Sequence, residues 1–167
     1  MRNIGRRSYP EFFCELWDPL CSLRLKESVP AEPKRFLMVD DDVALLRVVR
    51  EALVATLQCE VDTSPKPEYA FELALKKKYD LFLFDFQMPM IDGAMLFFLI
   101  GKVYQNLDPV RELPPLILVS GQADEKRAQE LLKEPGVAGL IAKPFAINRM
   151  VEKIKECLPG TEFSLPL

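Results

Sequence analysis

The sequence predicts an α/β fold with a doubly wound parallel sheet and helices on both faces. Two observations support this prediction. Residues 36–158 alternate short apolar runs with helix-period segments five times, and most of these runs are stretches of Leu, Ile, Val and Phe. Strands buried on both faces have that composition. Because strand and helix alternate, the strands are expected to pair in parallel through right-handed crossovers.

The first half of the alternation begins with a strand at 36–39, which three consecutive aspartates end. The next segment is predicted to be helical because its apolar residues recur mostly at every third position. Residues 59–63 alternate in polarity as a strand does. Pro67 then suits the first turn of a second helix, and the lysines at 76–78 suit its C-terminus, where cations oppose the helix dipole.

The second half of the alternation contains the strongest strand signal, the run at 80–84, which is apolar enough for a central parallel strand. A loop is predicted at 87–93 because it contains Pro89 and Gly93. The remaining elements are predicted in this order: a helix at 94–104, a polar connection at 106–115, a strand at 116–119, a helix at 124–133, a strand within 136–142 and a helix at 147–158.

The segments that flank this alternation differ from it. Prolines interrupt residues 1–35, which show no strand pattern, although the apolar group between residues 12 and 17 suits one face of a short helix. Acidic residues beside that group argue against an export signal. We therefore expect an N-terminal extension at 1–35 that is flexible or docks a partner, a domain at 36–158, and a C-terminal tail at 159–167.

Composition excludes several classes of function. The chain has no histidine, which rules out histidine metal sites and Ser–His or Cys–His nucleophile pairs. Its net charge of −3 gives no general attraction for nucleic acid. No apolar run reaches the roughly 18 residues that a membrane span needs. The four cysteines are scattered, as expected of reduced thiols in a cytoplasmic protein.

Polar residues follow four of the five predicted strands. Asp40 and Asp41 follow the first, Asp85 ends the third, Ser120 the fourth and Lys143 the fifth. The carboxyl ends of parallel strands line one edge of a sheet, so these groups are expected to meet there. Each alone is compatible with a turn or a helix cap. Together they predict a functional site.

The chemistry of this set suits a divalent cation and a phosphoryl group. Crowded carboxylates repel one another unless a cation screens them, and Mg²⁺ prefers such oxygen ligands. The Ser120 hydroxyl and the Lys143 ammonium could then contact phosphoryl oxygens. A carboxylate can act as the nucleophile in phosphoryl transfer. Asp85 is the expected nucleophile because it stands alone and central, whereas Asp40 and Asp41 lie side by side as a metal platform.

At this point the chain resembles the receiver domain of response regulators in two-component signalling, over residues 36–158. The matching pieces are 36–42, 81–93, 116–121 and 140–145, and the most specific is the string Asp-x-x-Met-Pro-x-x-Asp-Gly that begins at Asp85. The resemblance implies a flavodoxin-like, five-stranded parallel sheet. It also implies a phosphoacceptor that catalyses its own phosphotransfer and dephosphorylation rather than an enzyme acting on a separate substrate.

The resemblance implies roles for individual residues. Asp85 would accept the phosphoryl group from a histidine of a sensor kinase or phosphotransfer protein. Asp40, Asp41 and Asp85, with the main-chain carbonyl of Gln87, would bind Mg²⁺. The resemblance also implies that the phosphoryl oxygens are held by Ser120 and Lys143, and that the Lys143–Pro144 peptide bond is cis.

One position departs from the family pattern. Family members usually carry an aromatic switch residue on the fifth strand, and here that place is Leu140. Leucine cannot donate a hydrogen bond and its rotamer change gates less volume. Coupling between Ser120 and the surface of the fourth helix, fifth strand and fifth helix is therefore in question.

Two alternatives remain beside the receiver function. A binding module could retain the fold without being phosphorylated, as Leu140 and the N-terminal extension would allow. The string Val39-Asp40-x-Asp42 also resembles the nucleophile motif of haloacid dehalogenase-type phosphatases. This alternative is less favoured because Asp85 would then have no role. No output domain is evident in the sequence, so we expect a single-domain receiver that acts by contact with a protein target and does not bind DNA.

Overall fold

The computed structural model describes residues 32–121, 126–161 and 163 of the 167-residue chain. Most of the predicted N-terminal extension and of the tail therefore lies outside the described residues. The strands are β1 Arg35–Val39, β2 Glu60–Ser64, β3 Leu81–Asp85, β4 Leu116–Ser120 and β5 Val137–Ala142. The helices are α1 Val43–Leu57, α2 Pro67–Lys76, α3 Gly93–Gln105, α4 Lys126–Leu131 and α5 Ile147–Cys157.

The five strands form one parallel sheet in the order β2-β1-β3-β4-β5. This arrangement confirms the predicted flavodoxin-like sheet. The chain order reverses between β1 and β3, which lie side by side with Val39 opposite Phe84. Ligands of open α/β sheets bind at such a reversal, beyond the carboxyl ends of the strands.

The sheet is covered on both faces by apolar cores. Because side chains alternate along a strand, Phe82 and Phe84 of β3 face one core while Leu81 and Leu83 face the other. One core contains residues of α2 and α3, and the other contains residues of α1 and α5. Phe82 and Phe84 stack with ring centroids 5.0 Å apart. Helices on both faces confirm the doubly wound architecture.

The helix and strand limits differ from the predicted ones at several points. β2 lies one residue later than predicted, and α3 begins at Gly93, a residue assigned to the preceding loop. Asp92 explains this start, because its carboxylate accepts a hydrogen bond of 2.7 Å from the Met95 amide and so caps the helix. α4 ends at Leu131, two residues earlier than predicted. No helix in the described part of the chain is long and apolar enough to cross a bilayer.

Candidate functional site

The predicted acidic residues meet at the carboxyl edge of the sheet. Asp40 follows β1 and Asp85 ends β3, and the pairing of these strands places the two carboxyl groups side by side. One carboxylate oxygen from each of Asp40, Asp41 and Asp85 lies within 4.8 Å of the other two. Asp40 and Asp85 are buried while Asp41 is exposed. The cluster therefore has a buried base and an open side.

Asp42, the third of the consecutive aspartates, caps a helix instead of joining the cluster. Its carboxylate accepts hydrogen bonds from the amides of Ala44, at 2.9 Å, and Leu45, at 3.1 Å, so it is the N-cap of α1. This capping contact argues against the acid/base role that a haloacid dehalogenase-type reaction would require of Asp42. The structure thus separates Asp42 from Asp40 and Asp41, which lie in the carboxylate cluster.

Lys143 reaches the cluster from beyond β5. Its Nζ lies 2.6 Å from Asp40 Oδ2 and 3.0 Å from Asp85 Oδ1, so it bridges the carboxylates of two adjacent strands. The Lys143 amide also donates a hydrogen bond of 2.7 Å to the Ser120 carbonyl. The peptide bond to Pro144 is cis, as the family resemblance implied. A single ammonium thus faces two carboxylates.

Ser120 and Gln87 complete the predicted set. Ser120 ends β4, is fully buried, and lies one position beyond Val119, the residue of β4 that is paired with Asp85. Gln87 lies exposed in the loop after β3, two residues from Asp85. Both residues are therefore close to Asp85 along the chain or the sheet. Their contacts with a metal or a phosphoryl group stay predictions.

Burial and like charges act on Asp85 together. Its burial raises the pKa of the carboxyl group, and the charges of Asp40 and Asp41 raise it further, while the hydrogen bond from Lys143 opposes them only in part. Burial lowers the pKa of Lys143, but the hydrogen bonds to Asp40 and Asp85 reverse this and leave it raised. The lysine therefore stays charged, and the cluster holds more carboxylates than cations when all of its groups are ionised.

The donor set fits Mg²⁺. Three carboxylates that lie within 4.8 Å of one another supply only oxygen ligands, which Mg²⁺ prefers, and their excess negative charge favours a divalent cation. The exposed side of the cluster at Asp41 leaves room for the waters and phosphoryl oxygens that Mg²⁺ retains in its shell.

Gly93 is a site residue whose role the sequence reasoning missed. A Cβ at this position would lie 2.2 Å from the Asp85 carbonyl oxygen and 2.9 Å from Phe84 Cβ. Only glycine lets the first turn of α3 approach the backbone of Asp85 this closely. The signal was present in the sequence, since Gly93 closes the quoted Asp85 motif, but the close approach is a tertiary contact.

Leu140 occupies the switch position on β5 and is partly buried. It pairs with Leu118 of β4 and packs against the core on the α2 and α3 face. An open groove of about 750 Å³ lies beside it, lined also by Lys133 of the turn after α4 and Arg149 of α5. Leucine thus lines this groove at the position where the family resemblance predicts an aromatic residue.

Comparison with known proteins assigns the family. The family model of the response regulator receiver domain matches residues 36–155. The chain belongs to the response regulator receiver family. The match covers every element from β1 to the last turn of α5, and it contains each predicted site residue.

Curated relatives of this receiver differ in length. It is 29% identical to the polar-differentiation response regulator DivK of Brucella anthropi over 126 residues, which cover 75% of this chain and 97% of DivK. It is 35% identical over 127 residues to the 3′,5′-cyclic-nucleotide phosphodiesterase regA of Dictyostelium discoideum, covering 74% of this chain but 15% of that protein. The probable transcriptional regulator ycf29 of Porphyra purpurea is 29% identical over 122 residues, 73% of this chain and 55% of ycf29. The chain thus spans about half, or less, of some of its relatives.

Solved structures share the receiver architecture. A CheY-like receiver domain protein of Methanospirillum hungatei matches with a TM-score of 0.62 and 26% identity over 74% of this chain and 92% of its own. The response regulator TrrA of Thermotoga maritima, solved in complex with Mg²⁺-BeF, matches with a TM-score of 0.60 and 25% identity over 74% of this chain and 98% of its own.

Proposed function

We propose that this receiver is a phosphorylation-dependent signalling switch that accepts a phosphoryl group on Asp85. The observation that carries this proposal is the position of Lys143, whose Nζ bridges Asp40 and Asp85 at 2.6 and 3.0 Å. A fixed ammonium beside a carboxylate nucleophile neutralises charge on the transferred group. Ser120, one position beyond the β4 partner of Asp85, supplies the hydroxyl for a second phosphoryl oxygen.

The proposed step is an in-line transfer. A carboxylate oxygen of Asp85 attacks the phosphorus of a phosphohistidine on the donor protein, the new P–O bond forms as the P–N bond breaks, and the imidazole nitrogen leaves with the bonding pair. Water later attacks the same phosphorus and releases phosphate, which restores the carboxylate. Positioning and charge neutralisation account for most of the catalysis, and the receiver itself supplies both.

Mg²⁺ is the proposed cofactor. Asp40, Asp41 and Asp85 would hold it with the main-chain carbonyl of Gln87, and it would neutralise the charge that develops on the phosphoryl oxygens. The relative TrrA was solved with Mg²⁺-BeF, which supports this assignment by similarity.

The proposed partners are a sensor histidine kinase or a histidine phosphotransfer protein as donor and a protein target as output. Family membership supports both, and the relative BarA of Escherichia coli is named as a signal transduction histidine-protein kinase. Cys59 and Cys157 are free thiols, which agrees with action in the cytoplasm. We propose no contact with nucleic acid, and a gel-shift assay at physiological salt tests this.

The deciding experiment is labelling by a small phosphodonor such as acetyl phosphate. We expect Mg²⁺-dependent incorporation of one phosphoryl group into the wild type and none into Asp85→Asn, measured by intact-protein mass spectrometry. Asp92→Asn is the matched control: it removes a carboxylate of the same loop but keeps a residue that can cap α3. Equal labelling of wild type and Asp85→Asn would refute the assignment of Asp85.

A receiver-like binding module without phosphorylation is the second candidate, and the small Leu140 side chain at the switch position favours it. Under this alternative the wild type, as well as Asp85→Asn, stays unlabelled by the phosphodonor and by histidine kinases. Phosphate-ester turnover that needs Asp40 but not Asp85 would instead point to a phosphatase, a result that the capping role of Asp42 argues against.

A further inference from the structure

An apolar groove of about 530 Å³ lies between α2 and α3, and none of the predicted site residues lines it. Its apolar lining includes Phe71 of α2, Leu99 and Val103 of α3, and Met90 and Ile91 of the loop before α3. Met90 is 88% exposed and Leu99 is 41% exposed. Apolar side chains grouped and exposed in this way mark a docking surface more often than isolated ones do.

Met90 stands out within the groove because of its backbone. Its φ of 73° places it in the left-handed region, where residues with a Cβ are strained. The local conformation thus holds a long thioether side chain out into solvent at the mouth of the groove. Methionine adapts its shape to a partner surface, so this position is suited to contact with another molecule.

The charges at the rim of the groove are arranged by sign. Glu68 lies in the first turn of α2 and Lys102 in the last turn of α3. Since both helices run opposite to the parallel strands, Glu68 lies toward the carboxyl edge of the sheet and Lys102 toward the other edge. Among the described residues neither forms an ion pair, whereas Glu72 between them is paired with Lys76 at 3.0 Å. The groove is therefore acidic at one end and basic at the other.

We propose that this groove binds the same groove of a second copy of the chain. A two-fold axis that lies in the plane of the surface and perpendicular to the groove makes the two grooves antiparallel, so the acidic end of one copy lies against the basic end of the other in an isologous interface. Glu68 of each copy then faces Lys102 of the other copy, and Met90 and Leu99 of both copies are removed from water. A surface of uniform charge would repel its own copy, so the opposite signs are what select this occupant.

The association is expected to be reversible. We expect a small interface of the weak or transient class, so dimer formation should depend on protein concentration. It requires neither Mg²⁺ nor phosphotransfer, so its failure would leave the proposed function untouched and the converse also holds.

A charge exchange tests the proposal by sedimentation velocity of the full chain over about a hundredfold range of concentration. The wild type should dimerise at the upper end. Glu68→Lys and Lys102→Glu should each weaken dimerisation at least tenfold, since like charges then face each other twice. The double variant E68K/K102E should dimerise again, and an equimolar mixture of the two single variants should form a heterodimer, because each arrangement restores two opposite-charge pairs.

Two further variants control for folding and for charge alone. Glu152→Lys makes the same change of charge on an exposed residue of α5, and its dimerisation should match that of the wild type. Met90→Gly relieves the left-handed backbone while removing the exposed side chain, so it should keep or raise stability and still weaken association. Circular dichroism confirms that each variant is folded.

Three results would overturn the proposal. The first is a wild type that stays monomeric up to about 1 mM, whether or not another protein binds the groove. The second is dimerisation of Glu68→Lys and Lys102→Glu at the wild-type level. The third is a mixture of these two variants that fails to form a heterodimer.

Discussion

At the scale of single residues, the proposed function depends most on Asp85. It is 4% exposed, its carboxylate is near two others, and among the described residues its cationic partner is Lys143. Without a metal, burial and the neighbouring charges both disfavour its ionised form, which raises its pKa. A divalent cation bound in the cluster would reverse that balance. Under the proposed function, Asp85 acts as a nucleophile in its ionised form, and a bound cation would stabilise that form.

A test at this scale follows from the direction of the pKa shift. With Mg²⁺ removed, we expect Asp85→Asn to raise the free energy of unfolding at neutral pH. A carboxyl pKa that is higher in the folded than in the unfolded chain favours folding fully below the unfolded pKa, and this contribution is lost as pH rises through the folded pKa. The gain from the substitution should therefore shrink as pH falls toward the ordinary range of aspartate. Urea denaturation at a series of pH values measures it.

The result that would contradict this expectation is an Asp85→Asn variant less stable than the wild type at neutral pH. The ion pair with Lys143 would then outweigh the cost of burying the carboxylate. Asp92→Asn controls for the loss of a negative charge in the same loop.

At the scale of the elements, two N-capping aspartates fix where the helices that flank the site begin. Asp42 caps α1 and Asp92 caps α3, and both helices begin directly behind the carboxylate cluster. The start of α3 is also held by Gly93, which touches the backbone of Asp85 and would clash with it if it carried a side chain. A shift of the start of α3 would therefore also move the backbone of Asp85.

Gly93→Ala tests this coupling. The added methyl would meet backbone atoms that cannot rotate away, so α3 must shift, and we expect a loss of about 1–3 kcal/mol of stability. We also expect slower labelling by the phosphodonor, because the Asp85 backbone moves with the helix. Chemical denaturation and labelling rates measure the two effects.

Gly121→Ala is the matched control, since a Cβ there meets no atom of the described residues within 4 Å and the residue also adjoins the site. If both alanine variants were as stable as the wild type, the close approach at Gly93 would make no contribution to the free energy of unfolding, contrary to this prediction.

At the scale of the whole molecule, the site joins distant parts of the chain. The contact between Asp40 and Lys143 spans 103 residues of sequence and exists only when β1, β3 and β5 are assembled in one sheet. Any ligand that binds this set binds the folded state alone. Metal binding at this site would therefore be linked to global stability.

Mg²⁺ should consequently stabilise the receiver. At a concentration of one hundred times the dissociation constant, the expected gain is about 2.7 kcal/mol. Thermal denaturation with and without Mg²⁺ measures it, and removal of the ion by a chelator should reverse it. Asp41→Asn should reduce the shift because Asp41 is in the cluster and exposed enough for the fold to tolerate the change.

The neighbouring Asp42→Asn provides the comparison. Asparagine also caps helices, and Asp42 lies outside the carboxylate cluster, so this variant should keep the full stabilisation by Mg²⁺. Loss of the shift in Asp42→Asn but not in Asp41→Asn would contradict the assignment of ligands.

Sequence reasoning predicted the sheet, its two-sided cover of helices and the five strand-end residues, because these follow from local patterns. The continuous apolar run that ends at Asp85 is typical of a buried parallel strand. Its position beside β1 agrees with the right-handed crossovers that connect parallel strands. The start of α3 was placed one residue late, since Gly93 is typical of a loop unless the cap at Asp92 is known. The predicted end of α4 at residue 133 was wrong. The amphipathic pattern of the sequence continues past Leu131, but the backbone leaves the helical conformation there and forms a turn.

The order of apolar and polar residues along the chain predicted an α/β sheet with polar residues at one edge, since burial of each element is set by its own residues, and the motif that begins at Asp85 carried the resemblance to receiver domains. Three properties came only from the folded molecule: the bridging position of Lys143, the contact of Gly93 with Asp85, and the opposite charges at the two ends of the α2–α3 groove. These depend on distances between residues far apart in sequence. Such distances are set by the packing of complete elements, which no local pattern encodes.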